Sequence, residues 1–505
     1  MFIKLRSATP IGLDCLPVEV EVDINKGQTS FNIVGLTDTS IQEARDRIHS
    51  AIKNSGYTYP FNFRILVNLA PANLHKEGPS YDLPMAVGII LANLGKEPTN
   101  NKTLLWGELA LNGELRQTNG VLPIALFAQK NGFENIVVPC ENASEAALVK
   151  NIKILPAKNL KEVVSHMLEK SSLLVFQNKD DSENFNETKN YGFDMSDIKG
   201  HEFPKRALEV AASGGHNILL SGPPGSGKTL LSRALPTILP TLTETEMLEV
   251  TKIHSVAGLL RGGLIKSRPF RSPHHTISNI ALVGGGNFPR PGEISLSHRG
   301  VLFLDEFPEF NRNALEALRQ PLEDGTITIA RAKGTVQFPA RFILIASQNP
   351  CPCGYAGDTQ QICSCSANTL IKYQKKVSGP ILDRIDLHVE VPKLNFEKLS
   401  TTKSSENSSI IRTRVEKARE IQSKRFTTDN IITNSEMTAQ QIKKYCQLDP
   451  TSLRLLRDAV EKMHLSARGY TRVLKIARTI ADMANEKNIT LQHLAEALQF
   501  RIKST

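Results

Sequence analysis

Apolar and polar residues alternate in two stretches of the first third of the chain, residues 16–22 and 63–69. Alternation with a period of two puts every second side chain on one face of an extended strand, so both stretches predict half-buried β-strands. Residues 41–55 carry apolar side chains three or four positions apart, which predicts an amphipathic helix. A second helix is predicted at 81–94 and a further strand at 136–139. This mixture predicts an α+β domain.

Beyond residue 190 the apolar residues occur in short unbroken runs. Runs at 218–220, 301–304 and 342–346 predict strands of a parallel sheet, because strands covered on both faces are apolar throughout. Further on, Asp449 followed by Pro450 has the pattern of a helix N-cap and first helical residue. The helix after them is predicted to bury an apolar stripe of Leu453, Leu456, Val460 and Met463.

Two polar segments divide the chain into three parts. Residues 177–190 and 400–409 have too few apolar side chains to bury a core, so both are predicted linkers. They separate an N-terminal α+β domain at 1–176, an α/β domain at 191–399 and a helical domain at 410–505. A chain of 505 residues is too long for one core, which agrees with about three domains.

The apolar run at 218–220 leads into the most informative motif of the chain. Residues 222–229 fit G-x-x-x-x-G-K-[ST], and a helical pattern follows at 230–235. Glycines between a strand and a helix let backbone N–H groups surround phosphate oxygens. Lys228 is expected to reach the β- and γ-phosphates of ATP, and the Thr229 hydroxyl to bind Mg²⁺. The predicted phosphate loop consists of Gly222, Pro223, Pro224, Gly225, Ser226, Gly227, Lys228 and Thr229.

Two later apolar runs end in polar residues. In a parallel sheet these residues lie at the same edge as the phosphate loop. Asp305 and Glu306 follow the run at 301–304, and we expect Asp305 to hold Mg²⁺ and Glu306 to deprotonate the attacking water. Asn349 follows the next run and is expected to position that water. Two carboxylates after an apolar run are weak evidence alone, but together with Lys228 they predict ATP hydrolysis.

Two groups of side chains invite a metal interpretation. Four thiols fall within fifteen residues, at Cys351, Cys353, Cys363 and Cys365. Two C-x-C pairs can supply four thiolates to one tetrahedral Zn²⁺, but the spacing also suits free thiols, and both interpretations stay open. Their loop directly follows Asn349, so we expect it close to the ATP site. His274 and His275 are adjacent, but sequence neighbours seldom converge on one ion, so we expect mixed loop contacts there.

The overall charge and hydropathy add less. A net charge of +10 suits a polyanionic partner, although many basic proteins bind no nucleic acid. No apolar run approaches the length of a membrane span, and the first residues lead into no signal-peptide core. The expectation is a cytoplasmic protein without a membrane partner.

The N-terminal domain resembles the Lon-type protease domain. The resemblance rests on Lys76-Glu77-Gly78-Pro79-Ser80 before the apolar helix, and on the strand and turn at 107–113. In Lon proteases a downstream lysine activates a serine at the position of Ser80. Here that lysine's place falls near Ile124, and Lys130 lies almost two helical turns further on. A serine without a base is a poor nucleophile, so the resemblance implies a retained fold without peptidase activity.

Six motifs occur in one order along the chain: the phosphate loop, Arg-Ser-Pro-His-His, Gly-Val-Leu-Phe-Leu-Asp-Glu, Asn-Pro-Cys-Pro-Cys-Gly, Leu-Asp-Arg-Ile-Asp and Ala-Arg-Thr-Ile-Ala-Asp. Together they resemble the magnesium-chelatase-like AAA+ proteins of the ComM (YifB) family. The resemblance implies an α/β P-loop ATPase core, an N-terminal α+β Lon-protease-like domain (ribosomal S5 domain 2-like) and a C-terminal helical lid. It also implies a homo-hexameric, helicase-like ATPase that translocates on single-stranded and branched DNA and drives branch migration during natural transformation. A metal-chelatase motor and a Lon-like ATP-dependent protease are the alternatives.

The same resemblance assigns roles outside the phosphate site. In ring ATPases an arginine in the position of Arg384 reaches the γ-phosphate of the neighbouring subunit. The helical lid carries a sensor-2 arginine, for which Arg472 is the first choice and Arg468 the second. Residues 325–338 alternate on both sides of a central turn and predict a β-hairpin, whose tip carries Arg331 and Lys333. In a ring such a hairpin points into the central pore, where cations can follow a DNA backbone.

Overall fold

The computed structural model describes residues 1–177, 192–260, 263–286, 289–331, 334–358, 361–394, 406–429 and 431–501, with only the backbone at positions 331 and 334. The predicted linker at 177–190 lies outside the described residues except for its first residue. The second predicted linker, at 400–409, lies outside them up to residue 405, and its last residues enter a helix at Ser408.

A seven-stranded mixed sheet forms the centre of the N-terminal domain. Its order is β3-β4-β2-β1-β5-β8-β9. The strands of this domain are β1 (Phe2–Ile11), β2 (Asp14–Lys26), β3 (Ser30–Val34), β4 (Phe63–Ala70), β5 (Thr103–Leu105), β6 (Glu108–Leu109), β7 (Leu115–Arg116), β8 (Asn135–Pro139) and β9 (Lys153–Ala157). Strands β6 and β7 pair with each other, outside the seven-stranded sheet. The helices are α1 (Thr39–Asn54), α2 (Asp82–Leu94), α3 (Val121–Lys130), α4 (Ala143–Ala146) and α5 (Leu160–Met167). All five elements predicted in this domain are confirmed.

Helix α2 is the central element of that domain's core, since its residues from Asp82 to Ala92 are all buried. The Asp82 carboxylate accepts a hydrogen bond from Arg47 Nε of α1 at 2.8 Å. Burial raises the pKa of Asp82 to about 6, although Arg47 opposes the shift. On α3, Ile124 is fully buried among apolar side chains, which agrees with a packing role at that position.

The second domain contains a five-stranded parallel sheet of order β11-β14-β17-β10-β18. Its chain segment holds strands β10 (Ile218–Ser221), β11 (Phe270–Arg271), β12 (Gly284–Gly285), β13 (Arg290–Pro291), β14 (Val301–Leu304), β15 (Thr326–Arg331), β16 (Gly334–Pro339), β17 (Ile343–Gln348) and β18 (Leu387–Glu390). Its helices are α6 (Glu202–Gly214), α7 (Lys228–Ile238), α8 (Glu244–Val256), α9 (Asn279–Val283), α10 (Glu293–Leu296), α11 (Arg312–Ala317), α12 (Arg319–Asp324), α13 (Ala367–Gln374) and α14 (Gly379–Leu382). The three apolar runs form β10, β14 and β17, as predicted.

Five helices complete the described chain: α15 (Ser408–Arg425), α16 (Ala439–Tyr445), α17 (Pro450–Lys462), α18 (Ala467–Met483) and α19 (Leu491–Gln499). Helix α15 packs on α6 and α7, and their buried side chains share one apolar core with the parallel sheet. Asp449 caps α17 as predicted, accepting a hydrogen bond from Ser452 N at 3.1 Å. The predicted stripe of α17 is partly wrong, because Leu453 is 48% exposed; Leu456 is buried as predicted, and Ala459 is buried beside it.

The N-terminal domain touches the second domain through α8. The Ser255 hydroxyl donates to the buried Glu145 carboxylate, and the Ser255 carbonyl accepts from Gly120 N at 3.1 Å. Leu13, in the turn between β1 and β2, packs against the apolar cluster that contains Val336 of β16. A Cβ at Gly12, in the same turn, would lie 2.3 Å from Val336 Cγ1, so the turn contacts the half of the β15–β16 hairpin that is nearer its tip.

Candidate nucleotide site

The phosphate loop joins the end of β10 to the start of α7, and two of its glycines have a conformation that L residues rarely adopt. Gly225 has φ +74° and Gly227 has φ +85°. A Cβ at Gly222 would lie 2.2 Å from the Val391 carbonyl oxygen. The loop therefore needs glycine for both its turn and its close approach to the next strand.

The Lys228 ammonium lies inside this loop. It donates hydrogen bonds to the carbonyl oxygens of Gly222 at 2.8 Å and Pro223 at 2.9 Å, and to Asn349 Oδ1 at 3.2 Å. Burial lowers the pKa of Lys228, and the nearby Asp305 charge opposes that shift. The structure thus brings Lys228 and Asn349 together, because the parallel strands β10 and β17 are neighbours and end at the same edge.

The two predicted Mg²⁺ ligands are also in contact. The Thr229 hydroxyl donates to Asp305 Oδ2 at 3.1 Å, and the other carboxylate oxygen accepts from Ser347 Oγ. An adjacent hydroxyl and carboxylate are oxygen ligands of the kind that Mg²⁺ takes. Sequence reasoning missed Ser347. The strand register brings Ser347 to this position: Leu304 pairs with Ala346, so Asp305 and Ser347, which follow them, are neighbours too.

Glu306 is held by a residue that the sequence analysis did not assign to the site. Its Oε2 atom lies 3.1 Å from His275 Nδ1, and its side chain is 58% exposed. The backbone of Glu306 has φ +53°, a left-handed conformation that is uncommon for a residue with a side chain. Arg271, at the end of β11, pairs with Glu293 and anchors the segment that leads to His275. The mixed loop contacts expected there therefore include the candidate general base.

Arg384 lies at the opposite edge of the sheet from the phosphate loop. It follows α14 and precedes β18, whereas the phosphate loop follows β10, and these two strands are parallel. A strand of four residues separates the two edges by about 13 Å. The Arg384 side chain is 9% exposed, and it donates to Pro380 O at 2.8 Å and to Glu323 Oε2. Arg384 is therefore remote from Lys228 of its own chain.

Arg472 and Arg468, both in the first turns of α18, have different surroundings. Arg472 pairs with Asp386, a carboxylate that is 2% exposed and also accepts from Asn217 N at 3.1 Å. Burial alone would raise the pKa of Asp386, but Arg472 and His216 hold it well below its usual range. Arg468 is half exposed and donates to Glu323 Oε1 at 3.1 Å. The structure thus brings Arg468, not Arg472, to the carboxylate that holds Arg384.

The four cysteines of the loop after Asn349 form one cluster. Their sulfur atoms all lie within 4.8 Å of one another, with Cys351 Sγ 3.2 Å from Cys353 Sγ and 3.8 Å from Cys363 Sγ. Thiolates around a tetrahedral Zn²⁺, each about 2.3 Å from the metal, lie about 3.8 Å apart, so the donor set fits zinc. The loop also touches the phosphate loop, since a Cβ at Gly354 would lie 2.5 Å from Pro224 Cδ.

The predicted hairpin is present as β15 and β16, paired from Thr326–Pro339 to Arg331–Gly334. Lys333 lies outside the described residues, and so does the side chain of Arg331. The hairpin is thus confirmed, and the DNA contact of its tip stays a prediction.

Three family models match successive parts of the chain. Residues 194–399 match the model described as magnesium chelatase, subunit ChlI; residues 20–142 match subunit ChlI of Mg-chelatase; and residues 405–501 match the C-terminal part of subunit ChlI. Competence protein ComM of Haemophilus influenzae is 44% identical over 500 residues, which cover 98% of this chain and 96% of that relative. The chain belongs to the ComM/YifB family of magnesium-chelatase-like proteins.

Two further relatives match all or part of the chain. YifB of Escherichia coli is 41% identical over 506 residues, 98% of this chain and 96% of that protein. Lon protease 2 of Bacillus subtilis is 26% identical over 170 residues, 30% of each chain. The resemblance and the fold class inferred from the motifs are both confirmed. For a ComM/YifB protein with this phosphate loop, family membership indicates ATPase activity, with ATP and Mg²⁺ as cofactors. Within the described ranges, no helix combines the length and apolarity needed to cross a bilayer.

Proposed function

We propose that this protein is a ring-forming ATPase that moves along single-stranded or branched DNA and drives branch migration while incoming DNA is integrated. The observation that carries the proposal is the placement of Arg384 at the sheet edge opposite Lys228. An arginine needed for hydrolysis but remote from its own phosphate loop requires a second subunit. A ring, with a homo-hexamer as the expected form, provides that contact at every interface.

Within one subunit, the residues at the carboxyl edge of the sheet divide the work of hydrolysis. Lys228 donates to the β- and γ-phosphate oxygens, and the loop's N–H groups surround them. Glu306 takes a proton from the attacking water, which Asn349 helps to orient. Thr229 and Asp305 would hold Mg²⁺, which supplies positive charge against the phosphates. The shared edge of β10, β14 and β17 puts these groups within reach of one nucleotide.

The neighbouring subunit supplies the remaining positive charge. A guanidinium presents its donors in a planar fork that matches a γ-phosphate, and it stays charged when buried. We assign Arg384 to this role in trans. We assign Arg468 to the same surface as Arg384, because each arginine donates to one oxygen of the Glu323 carboxylate.

Three features support DNA as the substrate. The net charge of +10 favours a polyanion. The sequence that joins β15 to β16 contains Arg331 and Lys333, and we propose that this hairpin extends into a ring's pore. A relative that matches nearly the whole chain is named a competence protein. DNA translocation is the activity that joins these features to an ATPase ring.

We further propose that Cys351, Cys353, Cys363 and Cys365 hold a structural Zn²⁺. Four sulfur donors fill a tetrahedral site and leave no position for water, which is the pattern of structural zinc. Backbone N–H groups reach two of the sulfurs, Ala356 N to Cys351 Sγ at 3.3 Å and Cys365 N to Cys363 Sγ at 3.4 Å. The metal would thus stiffen the loop that packs on Pro224.

The domain boundaries at 1–176, 191–399 and 410–505, with linkers at 177–190 and 400–409, complete the proposal. A second candidate function is the motor of a metal chelatase, which the description of the matching family models favours. The sequence pattern disfavours a Lon-like protease, since an apolar residue, Ile124, takes the expected place of the base.

One experiment separates these functions. The ATPase rate is measured alone, with single-stranded DNA, with branched DNA and with a porphyrin-binding partner protein, using Glu306→Gln and Lys228→Ala as controls. DNA stimulation, and migration of a labelled branch, support the proposal. Stimulation by the partner protein alone would favour the chelatase motor, and peptidase activity removed by Ser80→Ala the protease.

A further inference from the structure

One carboxylate joins Arg384 and Arg468, the two arginines of this chain that we propose to act on the neighbouring subunit's ATP. Glu323 Oε2 accepts from Arg384 Nε at 3.1 Å and also from Arg384 Nη2. Glu323 Oε1 accepts from Arg468 Nη2 at 3.1 Å. Both oxygens of Glu323 are therefore engaged by guanidinium groups from two elements that are far apart in sequence.

The arrangement marks the position of an oxyanion between two cations. Guanidinium groups bind carboxylates and phosphates with the same donor geometry, so a γ-phosphate can take the place of a carboxylate. Arg384 is held from its other side by Pro380 O at 2.8 Å, which directs its fork towards Glu323. The hydrogen bond from Arg384 is the main reason why the pKa of Glu323 is lowered, so the carboxylate is ionised near neutral pH.

Glu323 also belongs to the element that supports the hairpin. It is the penultimate residue of α12, and Gly325, with φ +65°, turns the chain directly into β15. Gln320 Nε2 of the same helix donates to Thr328 Oγ1 of β15 at 3.1 Å. A shift of α12 is therefore transmitted to the hairpin without an intervening linker.

We propose that Glu323 is a positioning residue that occupies Arg384 and Arg468 until the γ-phosphate of the neighbouring subunit's ATP displaces it. Released from the arginines, α12 moves together with its hairpin. ATP bound in one subunit thereby sets the position of the DNA hairpin in the next. The inference rests on the proposed function, since it takes Arg384 to act in trans and the hairpin to meet DNA.

If Glu323 and the neighbour's γ-phosphate compete for the two arginines, removing the charge of Glu323 should raise the ATPase rate. Glu323→Gln removes the charge but keeps the shape, so the neighbour's phosphate no longer has to displace a carboxylate. The ATPase rate without DNA should rise about two- to fivefold, the range of an exposed ion pair. The maximal rate with a single-stranded oligonucleotide should stay at the parent value, so the stimulation ratio falls by the same factor. A purely structural role would change the unfolding temperature and not this ratio.

The matched control is Glu406→Gln, in the predicted linker just before α15. Glu406 pairs with Arg414 Nη2 at 2.7 Å, and its side chain is 56% exposed compared with 49% for Glu323. This variant should behave as the parent does. The double variant Glu323→Gln with Arg384→Ala should be as inactive as Arg384→Ala alone, because Glu323 acts through that arginine.

The results distinguish a failure of the Glu323 role from a failure of the proposed function. If the parent forms a ring and is stimulated by DNA, but Glu323→Gln has an unchanged or lower basal rate, the role of Glu323 is overturned and the proposed function stands. An active double variant would also overturn it. If the parent itself shows no DNA stimulation, the proposed function fails first.

Discussion

The Nδ1 atom of His275 lies 3.1 Å from the Oε2 atom of Glu306, the candidate general base. The two residues lie in the segments that follow the adjacent parallel strands β11 and β14. At this distance the imidazole can fix one carboxylate oxygen and so orient the other, which must accept the proton of the attacking water. His275 contacts Phe310 with its ring edge-on, so the imidazole is itself positioned.

Replacing His275 should therefore slow the chemical step without weakening ATP binding. We expect His275→Ala to lower kcat by up to about a hundredfold, the cost of misplacing a reacting group by about 1 Å, at an unchanged Kd for ATP. His275→Asn should recover part of the rate, since an amide N–H can replace Nδ1–H. Single-turnover hydrolysis and fluorescent-nucleotide binding measure the two quantities. A raised Kd with normal kcat would contradict the positioning role.

Arg384→Ala should bind ATP with the parent affinity and fail to hydrolyse it, because we assign its guanidinium to the ATP of the next subunit. Mixing it with Lys228→Ala protein should restore part of the activity, since some interfaces then pair an intact loop with an intact arginine. Subunit exchange is verified with labelled protein. Mixed rings without any turnover would exclude action in trans.

Arg472 and Arg468 should differ in what their loss affects. Arg472→Ala leaves the buried Asp386 without its closest cation, so we expect a loss of about 3 kcal/mol or more of unfolding free energy. Arg468→Ala removes a half-exposed side chain and should keep the parent stability while hydrolysis falls. Chemical denaturation and ATPase assays are compared for both variants. A stable Arg472→Ala protein with lost hydrolysis would return the sensor-2 role to Arg472.

The hairpin tip should carry part of the DNA affinity. Arg331→Ala with Lys333→Ala should weaken binding to all sequences alike and flatten the dependence of log K on log salt by up to about two units per engaged subunit. Basal ATPase should survive, while DNA stimulation and branch migration fall together. A double variant at exposed lysines of the N-terminal domain, Lys53→Ala with Lys96→Ala, is the charge-matched control. Normal branch migration by the tip variant would place the DNA path elsewhere, for example along 268–275.

The cysteine cluster should retain one zinc ion per chain through purification. We expect Cys353→Ser to lose the metal and to bind ATP more weakly, because the cysteine loop packs on the phosphate loop at Pro224. Metal content by elemental analysis and thermal stability with a chelator provide the readouts. Cys140→Ser, at an exposed cysteine outside the cluster, should keep the zinc. If the parent protein is purified without metal and the four thiols of the cluster react rapidly with a thiol reagent, the free-thiol interpretation is favoured.

The sequence by itself determined the parts that depend on residues close together in the chain. The phosphate loop lies within eight consecutive residues, and an apolar run followed by Asp305 and Glu306 already predicts a buried strand and its polar end. The prediction that these runs are strands of one parallel sheet also put Lys228, Asp305 and Asn349 at one edge. Periodicity was less reliable where a helix lies on a larger core, as the exposed Leu453 shows, because the buried face is set by the neighbouring helices.

Only the tertiary structure decided contacts between residues far apart in sequence. His275 beside Glu306, and Ser347 beside Asp305, follow from the register of parallel strands, which no local pattern reports. The different surroundings of Arg468 and Arg472 are of the same kind, because both occupy the first turns of one helix. What separates them is the packing of α18 against the amino edge of the sheet, which pairs Arg472 with a buried carboxylate and leaves Arg468 on the surface with Glu323.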